Sequence, residues 1–161
     1  MSIQSILLSF ICISSFSVID AQTFSLESSY FEVGDVYISD PKIYFEFSKW
    51  TIKSESYSAL DSIAVFLKEN ERLVIEIGVH IDSRGNEELR SRNLSLSRAV
   101  SILEYLKENG VDETRLEAKG YGKSEPLISD QQIDKMETYL KKEDAHALNR
   151  RTEFKITVIR K

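Results

Sequence analysis

Leu73 to His80 reads LVIEIGVH, the most apolar candidate strand in the chain. A short apolar run rich in β-branched residues is what a strand buried on both faces requires, so this segment is expected at the centre of a sheet. On its N-terminal side, Glu55 to Asn70 places Tyr57, Leu60, Ile63, Ala64 and Leu67 at helical spacing. That is one apolar face of an amphipathic helix. Further upstream, Val36 to Ser39 and Ile43 to Phe47 are β-rich and are split by Asp40-Pro41, a turn signal.

On the C-terminal side, Asp82 to Asn93 is polar and charged. A second helix is expected to follow, with Leu96, Ala99, Val100, Leu103 and Leu106 on one face. Asn109-Gly110 ends it, because glycine supplies the left-handed turn that closes a helix. Leu116 to Tyr121 reads as a third strand closed by Gly122, and Ser129 to Leu148 as a polar, helix-prone insert. In Arg151 to Ile159, Phe154, Ile156 and Val158 alternate with Glu153, Lys155 and Thr157, the period of a strand. The order is β-α-β-α-β-(helical insert)-β. Two helices cannot cover both faces of four strands. The expected fold is therefore an α/β (α+β) two-layer sandwich with both helices on one face of a mixed sheet.

The 161 residues suit one domain with a tail, and 42% hydrophobic with 29% charged residues suits a folded core. A formal net charge of -5 argues against a general nucleic-acid binder, which needs excess cations to replace counterions. One Cys and two His leave no intramolecular disulfide and no Cys/His structural zinc site. Ile6 to Ile19 is apolar and Ser-rich and is followed by Asp20-Ala21-Gln22. Residues 1–21 are expected to be a secretory signal peptide, although Met1 to Ser5 holds no Lys or Arg. Ile11 argues against lipidation at Cys12, since a lipobox has a small residue there. Cleavage after Ala21 removes Asp20 and Cys12, brings the charge to -4, and leaves no cysteine. No remaining run reaches the roughly 18 apolar residues of a spanning helix. Gln22 to Asp35 is expected as a linker or a first short strand.

Catalytic signals are weak. His80, Asp82 and Ser83 have no nucleophile elbow, and the glycines match no phosphate-binding spacing. Adjacent acids such as Glu87 and Glu88 read as a solvated loop, so neither a metal nor any other cofactor is expected. Asp82 and Arg98 stand out. Asp82 falls just past the central strand, and Arg98 falls in the helix that packs back on it. One anion and one guanidinium at a sheet-helix crevice can hold a zwitterion, with Asp taking an ammonium and Arg a carboxylate in a two-bond fork. The structural alternative is an internal Asp82–Arg98 salt bridge.

Several blocks then carry a resemblance: IYFEFSKWTI (Ile43 to Ile52), IGVHIDSRG (Ile77 to Gly85), LSLSRA (Leu94 to Ala99), Asn109-Gly110-Val111, Arg115-Leu116, KGYG (Lys119 to Gly122) with Pro126, and NRRTEF (Asn149 to Phe154). In this order they resemble the OmpA-like C-terminal peptidoglycan-binding domain of outer-membrane anchors, peptidoglycan-associated lipoproteins and flagellar stator subunits. The match runs over 36–161, with the insert at about 129–148. The resemblance implies a βαβαββ-type sandwich and non-catalytic binding of peptidoglycan in the Gram-negative periplasm. In the family, an Asp after the central strand and an Arg in the L-S-x-x-R-A helix clamp the diaminopimelate of the stem peptide; Asp82 and Arg98 fall there. Asn149, Arg150 and Arg151 and the acid Glu46 match positions beside the pocket, although Arg150 shares the alternation of Phe154 and Ile156 and is open to a buttressing role.

The chain departs from the family at three places. Ile81 stands where a Thr is usual, Ser91 where an Asn is usual, and Gly85 to Leu94 runs about one residue long, so that Asn93 is a candidate replacement for the missing amide. These departures favour a second reading: an OmpA-like scaffold with weakened wall binding that joins an envelope protein partner. Trp50, the only Trp, is expected to pack over the end of the first helix, with stacking on a sugar as its functional alternative. Tyr121 and His146 are expected to be structural.

Overall fold

The central strand forms where the apolar run lies, and everything else is placed by it. The computed structural model describes residues 23–40, 42–84 and 88–161. The expected signal peptide, Cys12, Pro41 and 85–87 lie outside the described residues. Strands β1 (Val36–Ile38), β2 (Leu73–His80), β3 (Leu116–Gly122) and β4 (Thr152–Ile159) make one sheet in the order β1-β4-β2-β3. The β2–β3 pair is parallel; β4 runs antiparallel to both β1 and β2. The expected mixed sheet is what forms.

Helix α1 (Tyr57–Glu69) and helix α2 (Glu88–Glu108) cover one face. Alternate residues of β2 and β4 (Ile75, Ile77, Val79, Phe154, Ile156) meet Leu60, Ile63, Leu67, Ala99, Ile102 and Leu106 in one buried cluster. A bulge between Val74 and Ile75 shifts the β4 register, so that Val158 leaves the core alternation and is exposed. The insert holds a short helix α3 (Asp130–Asp134), with a Ser129–Gln132 capping box, and helix α4 (Tyr139–Asn149). No helix among the described residues is long and apolar enough to cross a membrane.

Three expectations need correction. Ile43 to Phe47 joins no sheet. It closes a small hairpin, with a Phe45–Ile52 bridge and bonds from Glu46 N to Thr51 O (2.9 Å) and from Lys53 N to Tyr44 O (2.9 Å). Ser56 Oγ accepts from Tyr44 N at 2.7 Å and ties this hairpin to the start of α1. Second, α2 already includes Glu88 to Asn93, which was expected to belong to the polar connection. Third, its buried stripe is Ser91, Ser95, Ala99, Ile102 and Leu106, while Leu96 and Val100 are exposed.

Small residues replace large ones in that stripe because the helix backbone lies almost on β3. A Cβ added at Gly120 would stand 2.3 Å from Leu96 N and 2.7 Å from Arg92 O. Ser95 Oγ accepts from Gly122 N at 2.9 Å across the same contact. The other end of α2 closes as the sequence predicts, with Gly110 at φ 90° and Val111 N bonded to Leu106 O.

Arg115 is buried and donates to Leu67 O, Asn70 O and Leu73 O at 2.9–3.3 Å. It thereby satisfies carbonyls at the end of α1, just past it and at the start of β2. The stretch before β1 forms a parallel Thr23–Val36 bridge and packs Phe24 and Phe31 against Phe66.

Candidate ligand-binding site

β2 delivers Asp82 to the end of the sheet, where its side chain is buried among cations. Asp82 Oδ2 accepts from Arg84 Nη2 (2.8 Å) and Arg84 Nε (3.2 Å), and from Arg150 Nη1; Oδ1 accepts from Arg84 N at 3.2 Å. Burial pushes the carboxyl up, but the hydrogen bonds and charges of Arg84 and Arg150 outweigh it and hold Asp82 below the usual carboxylate range. Arg84 also pairs with Glu143 of α4, which brings the insert into the cluster. Lys42 Nζ donates to Ala147 O at the end of α4, and burial with the nearby Arg150 charge lowers its pKa.

Arg98 lies apart from this cluster. Its guanidinium sits over the Phe45 ring, 4.8 Å from the centroid, and Nε donates to Lys49 O at 3.0 Å. Burial lowers its pKa, although a guanidinium stays charged at neutral pH. Among the described residues no carboxylate pairs with Arg98, so the internal Asp82–Arg98 salt bridge does not form. Asp82 has Arg84 and Arg150 instead. The Nη atoms of Arg98 make no hydrogen bond among the described residues.

The other expected site residues separate into groups. Glu46 is exposed in the hairpin turn that supplies Lys49, a turn closed by Ser48 at φ 55°. Ile81 is half-buried and its N–H donates to Gly122 O. Ser91 is buried in the first turns of α2, whereas Asn93, two residues on, is exposed on another face. Asn149 is buried and brackets the insert, accepting from Ile128 N (2.9 Å) and donating to Ile128 O (2.7 Å). Arg150 reaches Asp82. Arg151 turns to Glu125 O and to Glu153 Oε1 (2.6 Å).

Arg84, Lys42, Glu143 and Phe45 were not singled out from the sequence. Only Arg84, two residues from Asp82, carried a local signal. Tyr121 is structural: it stacks on His80 (4.5 Å, 4°) and donates to Glu76 Oε1 at 2.5 Å. His146 lies in α4, where its carbonyl accepts from Arg150 N. Trp50 lines a groove on α2 with Leu96, Ser97, Val100, Ser101 and Glu104; none of these lining residues comes from α1.

A family model described as the OmpA family matches residues 44–139. The chain belongs to the OmpA family. Outer membrane protein A of Bordetella avium is 33% identical over 119 residues, which cover 73% of this OmpA-family chain and 55% of that protein. The peptidoglycan-associated lipoprotein of Pseudomonas aeruginosa is 34% identical over 114 residues, 70% of this chain and 60% of that one. The chain thus spans little more than half the length of these relatives. A solved structure titled as the cell wall anchor of the T6SS from Pseudomonas aeruginosa shares the fold, with TM-score 0.58 and 22% identity over 76% of this chain and 79% of that one. The named relatives are thus an outer membrane protein, a peptidoglycan-associated lipoprotein and a cell wall anchor.

Proposed function

We propose that this chain binds peptidoglycan without catalysis, through the diaminopimelate of the stem peptide, and so anchors an envelope assembly to the wall. The observation that carries the reading is the state of Arg98. Its Nε is fixed by Lys49 O and its plane rests on Phe45, which leaves the Nη fork for a carboxylate. Asp82 supplies the anion for the ammonium. Its partners Arg84 and Arg150 are 44% and 43% exposed, so the ammonium would displace one of them toward solvent. Charge-assisted bonds contribute roughly 1.5–3 kcal/mol each, so two of them give a site of order micromolar to millimolar. The sacculus repeats the ligand many times, and avidity makes such a site adequate for an anchor.

The test is sedimentation with purified diaminopimelate-type peptidoglycan, using protein expressed from the full chain. Arg98→Ala and Asp82→Ala serve as variants, with circular dichroism on each. The expected result is that wild type pellets and that folded variants do not. Wild type remaining in the supernatant sinks the reading and leaves the family scaffold serving a protein partner.

A further inference from the structure

The hairpin turn that holds Arg98 also displays an apolar surface that the clamp does not use. Trp50 is 58% exposed, and beside it on α2 Leu96 and Val100 are exposed at 43% and 42%. Scattered exposed apolar residues mean little, but a contiguous group built from two elements marks a contact surface. Trp50, Leu96 and Val100 line an open groove of about 440 Å³ with Ser97, Ser101 and Glu104. That volume lies within the roughly 300–1,000 Å³ usual for small-molecule sites.

The lining selects the occupant. Half of it is Ser and Glu, residue types depleted from the cores of protein interfaces. Those groups suit a ligand with an apolar face and a rim of hydroxyls and amides. The indole offers a flat apolar surface, and Glu104 offers acceptors. Ser101 Oγ donates back to Ser97 O at 3.0 Å, which leaves its lone pairs to accept. A pyranose ring has this chemistry: axial C–H groups on one face and polar groups around the edge.

Position points the same way. Lys49, whose carbonyl holds Arg98, precedes Trp50 in the chain, and Ser97 precedes Arg98. The groove therefore adjoins the proposed clamp on both elements. In peptidoglycan two residues separate diaminopimelate from the sugar, a reach of roughly 10 Å for an extended chain. We infer that this groove takes the N-acetyl-hexosamine backbone of the wall while Arg98 takes the stem peptide. This rests on the wall-binding reading above and adds a second contact to it.

Because Trp50 is the only Trp, its fluorescence reports on the groove alone. Protein expressed from the full chain is titrated with three probes: the free L-Ala-γ-D-Glu-meso-diaminopimelate tripeptide, the same tripeptide on the GlcNAc–MurNAc disaccharide, and peptide-free glycan oligomers. Calorimetry gives the affinities of wild type, Trp50→Ala and Arg98→Ala. The disaccharide-tripeptide is expected to bind about tenfold tighter than the tripeptide, the size of one aromatic platform. Trp50 emission is expected to shift only with the two sugar-bearing probes. Trp50→Ala should erase the tenfold difference and leave tripeptide affinity unchanged.

Equal affinity for the two peptides with constant emission overturns the inference. So does an equal weakening of both in Trp50→Ala. A shift of Trp50 emission with protein concentration in the absence of sugar overturns it in favour of a second copy of this chain. If the tripeptide fails to bind while the glycan oligomers still shift Trp50, the clamp is wrong and the groove stands.

Discussion

Replacing Gly120 by Ala tests how the site is positioned. The new Cβ would stand 2.3 Å from Leu96 N, 2.7 Å from Arg92 O and 2.7 Å from Leu96 Cα. All three are backbone atoms of α2, so no side-chain rotation relieves them. Ordinary carbon contacts are about 3.5–4.0 Å, so α2 must retreat from β3 by roughly 1 Å. Overpacking against a fixed neighbour typically costs about 1–3 kcal/mol, and this clash belongs at the upper end. The retreat also stretches the 2.9 Å bond from Gly122 N to Ser95 Oγ. Losing that bond adds about 1 kcal/mol.

The expected loss is therefore about 4 kcal/mol, a large part of the about 5–15 kcal/mol by which a domain is stable. With a urea m-value of about 2 kcal/mol/M, the midpoint should fall by about 2 M. Gly78→Ala is the control. Its nearest neighbour is Tyr121 Cε2 at 2.9 Å, on a ring held by His80 and Glu76; moving that ring rather than a helix backbone should cost about 2 kcal/mol. A Gly120→Ala midpoint within about 0.5 M of wild type at unchanged m would refute the close-approach argument. Since α2 carries Arg98, wall pelleting should weaken in this variant even in buffer where it is folded.

Arg115→Met removes bonds to Leu67 O in the last turn of α1, Asn70 O just past it and Leu73 O at the start of β2, and should cost about 3 kcal/mol, read as a melting temperature lower by roughly 10 °C; an unchanged melt would show that water satisfies these carbonyls equally well. For Glu153, burial raises the carboxyl pKa, but the close approach of His80 (Nε2 3.3 Å from Oε2) and the Arg151 guanidinium outweigh it and hold it at about 2. A depressed acid stabilises the fold above its unfolded pKa and stops doing so as pH falls through the folded value. Wild type should thus lose on the order of 3 kcal/mol between about pH 4.5 and pH 2, and Glu153→Gln should lack that component in urea melts across the window. Arg98→Ala should shift stability by no more than about 1 kcal/mol, because its ties are one bond to an exposed turn and one ring contact. A larger loss in urea would make Arg98 part of the framework.

Most of the fold was legible because its signals are large. Leu73 to His80 and the alternation around Phe154 and Ile156 give the centre of the sheet, and the Leu60–Ile63–Leu67 face gives α1. The face of α2 was not legible. Its buried N-terminal half is Ser91, Ser95 and Ala99, small residues required by the glycines of β3, and a rule that looks for large apolar residues picks Leu96 and Val100 instead. Ile43 to Phe47 has strand composition, but its bonds go to its own hairpin and to Ser56. In the site, the sequence singled out Asp82 and Arg98 and left open whether they bridge each other. It could not supply their surroundings, because Glu143 lies 59 residues from Arg84 and Phe45 lies on a turn whose register with α2 depends on the packing.

Those surroundings separate what is fixed from what is free. Asp82 is tied to the start of β4 through Arg150 and to the insert through Arg84 and Glu143. Arg98 is tied only to the hairpin turn. The two charges therefore belong to different supports, Asp82 to the end of β2 and Arg98 to α2, which packs on β3 at Gly120. A zwitterion with ammonium and carboxylate on one carbon demands a fixed separation, and a backbone-to-backbone contact at glycine is the stiffest available means of fixing it. Side chains between helix and strand would change rotamer and let the distance drift. Under the proposed clamp, Gly120 would contribute to ligand selectivity through the packing of α2 on β3, without touching the ligand.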